Sequence, residues 1–224
     1  MKAISYCLYG TELKYYIGAE RNVAINKQLL PDWSSVIYYN SFQILDDWYE
    51  RLVESGANMI DVNGISLTSS ITYPMFWRYL AFIENYQALL IRDLDSRVSP
   101  REVEYIRRWL ESDKNIFIIR DHPWHAPTPG GLFGVRDSSI NLREYFTNFV
   151  QSRSHGWGTD QEMLTEYVQA GNTESVFYCG FDRADTYIPR DDLDFFIGMQ
   201  IDENEQPAGS NALLSLQYLK DLRL

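Results

Sequence analysis

The chain has 224 residues, 45% apolar and 23% charged, which suits a single domain with a sizeable core. Its formal net charge of −11 repels a polyanionic backbone and argues against a polymeric nucleic-acid partner, while leaving room for a nucleotide whose phosphates a metal ion screens. Cys7 and Cys179 form no metal-type spacing and are too few for a disulfide framework, so a reducing, cytoplasmic setting is expected.

No stretch reads as a transmembrane segment. The apolar start of the chain is short, lacks a signal-peptide pattern and reads as a first buried strand, residues 3–9. Residues 13–30 read as a helix with Pro31 just past its end, and 35–39, β-branched and aromatic, as a second strand. A helix over 41–54 ends before Gly56, and 58–62 forms a short strand. Residues 73–86 read as a helix with Phe76, Tyr79, Leu80 and Ile83 on one face.

Residues 88–91 are a continuous apolar run, as in a strand covered on both faces. Ser99-Pro100-Arg101-Glu102 then opens a helix, with Ser99 as N-cap, Pro100 at the first position and Glu102 closing a capping box. Val103, Ile106, Trp109 and Leu110 form its apolar stripe, and 116–119 is the next strand. The last third is less regular, with helices over 142–150 and 161–170, a strand over 194–199 and a closing helix over 211–224. This alternation predicts an α/β fold with a mostly parallel central sheet flanked by helices, whose ligands sit beyond the carboxyl ends of the strands.

Asp93-Leu94-Asp95 lies at such an end. Two carboxylates one residue apart can share a hard cation, and Mn²⁺ or Mg²⁺ would then bridge them to a diphosphate. The same residues could instead cap the loop and the helix behind it. Arg92 and Arg97 flank the pair, as phosphate donors or as solvated charges. Asp121-His122 follows the next strand end and leads through Pro123, Trp124, His125, Pro127 and Pro129 to Gly130-Gly131. These histidines could ligate a metal, bind phosphate or sugar hydroxyls, or fasten loop carbonyls; no Cys or His cluster completes a zinc set, which favours a substrate loop. Gly130-Gly131 would allow backbone to approach a sugar or simply turn the chain. Trp157-Gly158-Thr159-Asp160-Gln161 precedes a helix, where Asp160 is a catalytic acid or base or only an N-cap. The aromatics, 15% of the chain, can stack on bases and sugars or fill the core.

Taken in order, these motifs resemble small GT-A-fold glycosyltransferases with a D-x-D signature, of the type found in bacterial surface-polysaccharide clusters and large DNA viruses. The resemblance rests on Tyr6 to Gly10 with Lys14 to Ala19, Met75 to Leu80, Arg92 to Arg97 with Arg101-Glu102, Arg120 to Gly131, Gly158 to Glu162, and residues 196–204. It implies a single GT-A-like domain, with a nucleotide-binding part over 1–97 and a part for the acceptor and sugar over 98–224. It also implies hexosyl transfer from a nucleotide-sugar donor, a UDP-sugar by preference, to a glycan or glycoconjugate acceptor. Asp93 and Asp95 would hold the metal, and Leu8, Tyr9 and Gly10 the nucleoside. Arg78, Arg92 and Leu94 would face the donor. His122, Gly130 and Gly131 would shape the sugar pocket, with Asp121, Asp160 and Gln161 as catalytic residues. No histidine follows His155, so the late metal-binding histidine of many such enzymes is missing, different or replaced by water. A phosphohydrolase using Asp93 and Asp95, and a non-catalytic nucleotide-sugar-binding module, are the alternatives.

Overall fold

The computed structural model describes residues 1–221 apart from 46, 137–140, 184–185 and 191–193. Seven strands form one sheet: β1 (Lys2–Leu8), β2 (Trp33–Tyr39), β3 (Asn58–Asp61), β4 (Ala88–Arg92), β5 (Ile116–Arg120), β6 (Leu132–Arg136) and β7 (Val176–Gly180). Their order is β3-β2-β1-β4-β6-β5-β7. β6 alone among these strands runs antiparallel, to both β4 and β5. The predicted α/β fold with a mostly parallel sheet is therefore the observed one.

Side-chain alternation distributes the core to two faces. Ile4, Tyr6, Leu8, Ile37, Leu90 and Phe117 pack under α1 (Leu13–Leu29), α2 (Trp48–Ser55) and α3 (Pro100–Glu111). Ala3, Val36, Leu89, Ile91, Ile118 and Phe133 pack under residues Pro74–Ile83, α4 (Leu142–Ser152) and α5 (Thr159–Tyr167). Ile106 and Trp109 of the predicted α3 stripe are buried, and Ser99 caps that helix by accepting from the Glu102 N–H at 3.2 Å. Glu102 does not close the box. It is buried and pairs with Arg92 at 3.3 Å.

Four expectations need correction. Residues Pro74–Ile83 wind as a 3₁₀ helix, not the predicted α-helix, with Phe76 to Phe82 all buried. With Phe76 to Phe82 all buried, no polar face marks a helical period in the sequence, so α and 3₁₀ winding cannot be told apart from patterning. α2 starts at Trp48 rather than residue 41. The predicted strand 194–199 is a turn segment: Gly198 has φ +89°, and the Ile197 N–H donates to Asp121 rather than to a ladder. β6 and β7 were not foreseen. β6 carries Gly134 in mid-strand, which weakens the strand pattern but admits Leu90 beside it. The closing helix α6 spans Gly209–Asp221, and the expected helical residues 222–224 lie outside the described residues.

Candidate metal and donor cleft

The carboxyl ends of β1 and β4 and the amino end of β6 open on one cleft of about 520 Å³, lined by Cys7, Tyr9, Arg78, Arg92, Asp93, Leu94 and Asp95, among others. β6 supplies the opposite lip by register. Arg92 pairs with Leu132 across an antiparallel ladder, so the next step sets Asp93 against Gly131. A Cβ on Gly131 would overlap the Asp93 carboxylate, and one on Gly130 would overlap Asp160 Oδ2. The double glycine is thus a steric requirement of two carboxylates. Gly131→Ala is expected to push Asp93 aside and weaken any Mn²⁺-dependent UDP binding at least about tenfold, measurable by calorimetry; unchanged affinity would show that Asp93 need not hold this position.

Arg78 joins the two acids. Its guanidinium donates to Asp93 Oδ1 and, at 2.7 Å, to Asp160 Oδ2. Tyr79 adds hydroxyl contacts of 3.0 Å to Asp160 Oδ2 and to the Gly130 carbonyl. Ser5 of β1 donates to the Arg78 carbonyl at 2.6 Å, which fixes the turn that carries this arginine. Burial opposes charge on Arg78, yet Asp93 and its neighbours hold the guanidinium firmly protonated. Asp160 is not the N-cap of α5. That position is Gly158, at φ +82°, and Asp160 lies in the first turn with its side chain turned into the cleft.

The Asp93-Leu94-Asp95 turn is held from behind. Asn22 and Arg97 donate to the Leu94 carbonyl at 3.1 and 2.9 Å, and Gly18 leaves room for that carbonyl against α1. The Asp93 side chain is 44% exposed, whereas Asp95 is 6% exposed. Burial, then the Asp93 carboxylate, raises the Asp95 carboxyl to about 6. Two acids in mutual repulsion, one opening to the cleft, fit a hard divalent cation, which would offset both charges. Among the described residues no group of three His, Cys, Asp or Glu side chains forms a metal site. The protein would then supply Asp93 and Asp95, with phosphate oxygens or water completing the shell.

Other expected site residues fall elsewhere. Arg92 borders the cleft, but its guanidinium donates to the Gly131 carbonyl at 3.1 Å and to Ser96 Oγ at 3.2 Å. It therefore holds the glycine lip and is not a solvated charge. Arg97 is likewise buried, paired with Glu205 at 2.9 Å. Leu8 points into the core and Gly10 makes the exposed turn beyond it, leaving Tyr9 as the member of that trio on the cleft wall. Asp121 and His122 do not line the cleft. Asp121 ties Arg101 of α3 to the Ile197 N–H, and His122 accepts from the Trp124 N–H at 3.0 Å and donates from Nε2 to Ser215 O at 3.1 Å. Both strand-end residues thus fasten the loop to α3 and α6.

Gln161, Gly130 and Gly131 do line the cleft. So does His125, one of the two candidate loop histidines, together with Tyr15, Tyr73, Met75, Trp157, Gly198 and Gln200, which were not among the expected site residues. Tyr9 contacts Tyr15 at 6.5 Å, Tyr73 at 6.4 Å and Trp77 at 6.2 Å between ring centroids, which builds one aromatic wall. The density of tyrosines near the first strand was the available signal; their convergence from residues 9, 15 and 73 was not readable without the fold.

The chain matches no family model and no curated protein. Solved structures do resemble it. Glucosyl-3-phosphoglycerate synthase from Mycobacterium tuberculosis, in complex with Mn²⁺ and UDP-glucose, superposes with a TM-score of 0.53 at 9% identity, over 99% of this chain and 76% of that one. The same enzyme with Mg²⁺ and UDP gives 0.53 at 11% identity, over 87% and 73%. Its complex with Mn²⁺, UDP-glucose and phosphoglyceric acid gives 0.52 at 11%, over 87% and 73%. At these identities the likeness is one of fold, and the fold of this chain is GT-A-like: a mixed, mostly parallel seven-stranded sheet between helical layers.

Proposed function

We propose that the chain is a metal-assisted glycosyltransferase that moves a hexose from a nucleotide-sugar, by preference a UDP-sugar, to a hydroxyl of a glycan or glycoconjugate. The observation that carries this reading is the Asp93–Asp95 pair, which meets the Gly130-Gly131 lip and the Arg78–Asp160 ion pair in one cleft of a GT-A-like fold. In the transfer, the bond from the anomeric carbon to the nucleoside diphosphate breaks, a bond to the acceptor oxygen forms, and the hydroxyl proton leaves for phosphate or solvent. A bound Mn²⁺ or Mg²⁺ would stabilise the charge gathering on the diphosphate. Tyr9, Tyr15 and Tyr73 would face the base. Arg78 would hold Asp93 and Asp160 in fixed relation, and Asp160 and Gln161 would border the anomeric carbon.

Residues 1–97 would serve mainly the nucleotide and metal, and 98–224 the sugar and acceptor. No described helix is long and apolar enough to cross a membrane. Cys7 and Cys179 are unpaired and buried, which supports the cytoplasmic reading. The acidic balance argues against a polymeric nucleic-acid partner, and polysaccharide biosynthesis is the process this chemistry would serve.

The test is a thermal-shift and hydrolysis screen of UDP-, GDP- and dTDP-sugars with and without Mn²⁺. Stabilisation by one nucleotide-sugar that requires Mn²⁺, with slow sugar release, is expected. Stabilisation without turnover, acceptors included, would favour a binding module. Phosphate release from simple phosphomonoesters would replace the transferase reading with a hydrolase.

A further inference from the structure

Two tryptophans on the cleft wall take no part in holding the acids. Trp157 is 84% exposed and Trp124 is 56% exposed, and both line the cleft that contains Asp93 and Asp95. They come from different loops, one just before α5 and one after β5. Trp124 is held in place: its ring stacks on Tyr218 of α6 at 5.2 Å and 29°, and meets His122 edge-on at 5.1 Å. Gly158, with its left-handed φ, turns the chain between Trp157 and the helix that carries Asp160. Large indoles left in water beside a substrate cleft are faces for a ligand.

The charge of the wall narrows the ligand class. The arginines among the described lining residues are Arg78 and Arg92, and no lysine is among them. Arg78 is committed to Asp93 and Asp160, and Arg92 to the Gly131 carbonyl, Ser96 and Glu102. His125 also lines the cleft; burial first, then His122 and nearby arginines, hold it neutral. Gln161 and Gln200 add uncharged amides. The wall therefore offers indole faces for the C–H side of a sugar ring and amides for its hydroxyls. Among the described lining residues it offers a carboxylate acceptor no uncommitted cation, and Lys14, beside Tyr15, is paired with Glu12 at 3.5 Å.

Resting on the donor reading above, we infer that Trp157 and Trp124 form an acceptor platform for an uncharged hexosyl ring, selecting against small anionic acceptors of the phosphoglyceric acid type.

The test uses the full chain saturated with UDP and Mn²⁺, titrated with methyl glucosides, galactosides and mannosides and, in parallel, with 3-phosphoglycerate, following the heat of binding by titration calorimetry. A saturable response to a neutral glycoside is expected, weakened at least about tenfold in Trp157→Ala, largely restored in Trp157→Phe, and reduced in Trp124→Phe. UDP affinity in Mn²⁺ should change less than about twofold in all three, since these rings do not touch Asp93 or Asp95. A response to 3-phosphoglycerate alone overturns the neutral-acceptor class. Equal glycoside binding by parent and Trp157→Ala overturns the platform, as does silence towards every glycoside in protein that binds UDP and Mn²⁺. Failure of the parent to bind UDP with Mn²⁺ overturns the donor reading and the platform with it.

Discussion

Asp95→Asn is expected to lose Mn²⁺-dependent UDP binding by at least about a hundredfold and, at neutral pH, to melt several degrees higher than the parent. Both effects have one cause. Asp95 is buried beside another carboxylate, and burial first, then Asp93, lifts its carboxyl from 3.8 to about 6. Between these values the folded chain keeps a proton that the unfolded chain has released. Stability therefore falls as pH rises through that window and stays lowered above it. At 1.36 kcal/mol per pKa unit, the upper bound on this cost is about 3 kcal/mol. The amide carries no charge, so the melting temperatures of parent and variant should coincide near pH 4 and separate above pH 6. In a chain of this size about 3 kcal/mol corresponds to roughly 6–12 °C. Differential scanning calorimetry from pH 4 to 8, paired with UDP titrations in Mn²⁺, checks both arms. A pH-independent difference in melting temperature would mean that Asp95 is not electrostatically strained. Retained metal-dependent UDP affinity would remove it from the metal site. A group that costs stability when empty and binds a cation when full is the pattern expected of a functional site.

Arg78→Met is the second large effect. The methionine fills most of the volume but leaves Asp160, which is buried, and Asp93 without their shared cation. Removing one partner of a buried pair costs about 3–5 kcal/mol, because an uncompensated charge stays behind. A fall in melting temperature of about 6–20 °C is expected. Asp160→Asn removes one of the stranded charges, so the double variant should recover a substantial part of the loss, and a cycle of the four proteins measures the coupling. Strictly additive losses would show that the Arg78–Asp160 contact carries no energy of its own. Tyr79, which touches both Asp160 and the Gly130 carbonyl, is unchanged throughout and keeps the glycine lip anchored in every variant.

Elements built from near neighbours were readable in advance. The apolar runs at β1, β4 and β5, the Ser99-Pro100 start of α3 and the helix over α1 all follow from local patterning, and from them came the mostly parallel α/β fold. Asp93 and Asp95 were legible for the same reason: a polar pair straight after a buried run lies at a strand end wherever that strand goes in the sheet. Patterning failed where a segment is enclosed on all sides, as at Pro74–Ile83, or where glycine interrupts a strand, as in β6. It also misplaced Asp121 and His122, since a strand end says nothing about which way the following side chains turn.

What the sequence determined by itself, then, is a pair of acids at the end of a buried strand and a rigid glycine-containing loop after another. The tertiary structure decided what faces them. Arg78 and Asp160 are 82 residues apart along the chain, and Arg92 and Gly131 are 39 apart. The second of these meetings depends on the antiparallel insertion of β6 between β4 and β5, a non-local pairing that no residue's propensity encodes. That strand reversal brings Gly131 to Asp93 and leaves a cleft in which every guanidinium on the described wall is already engaged.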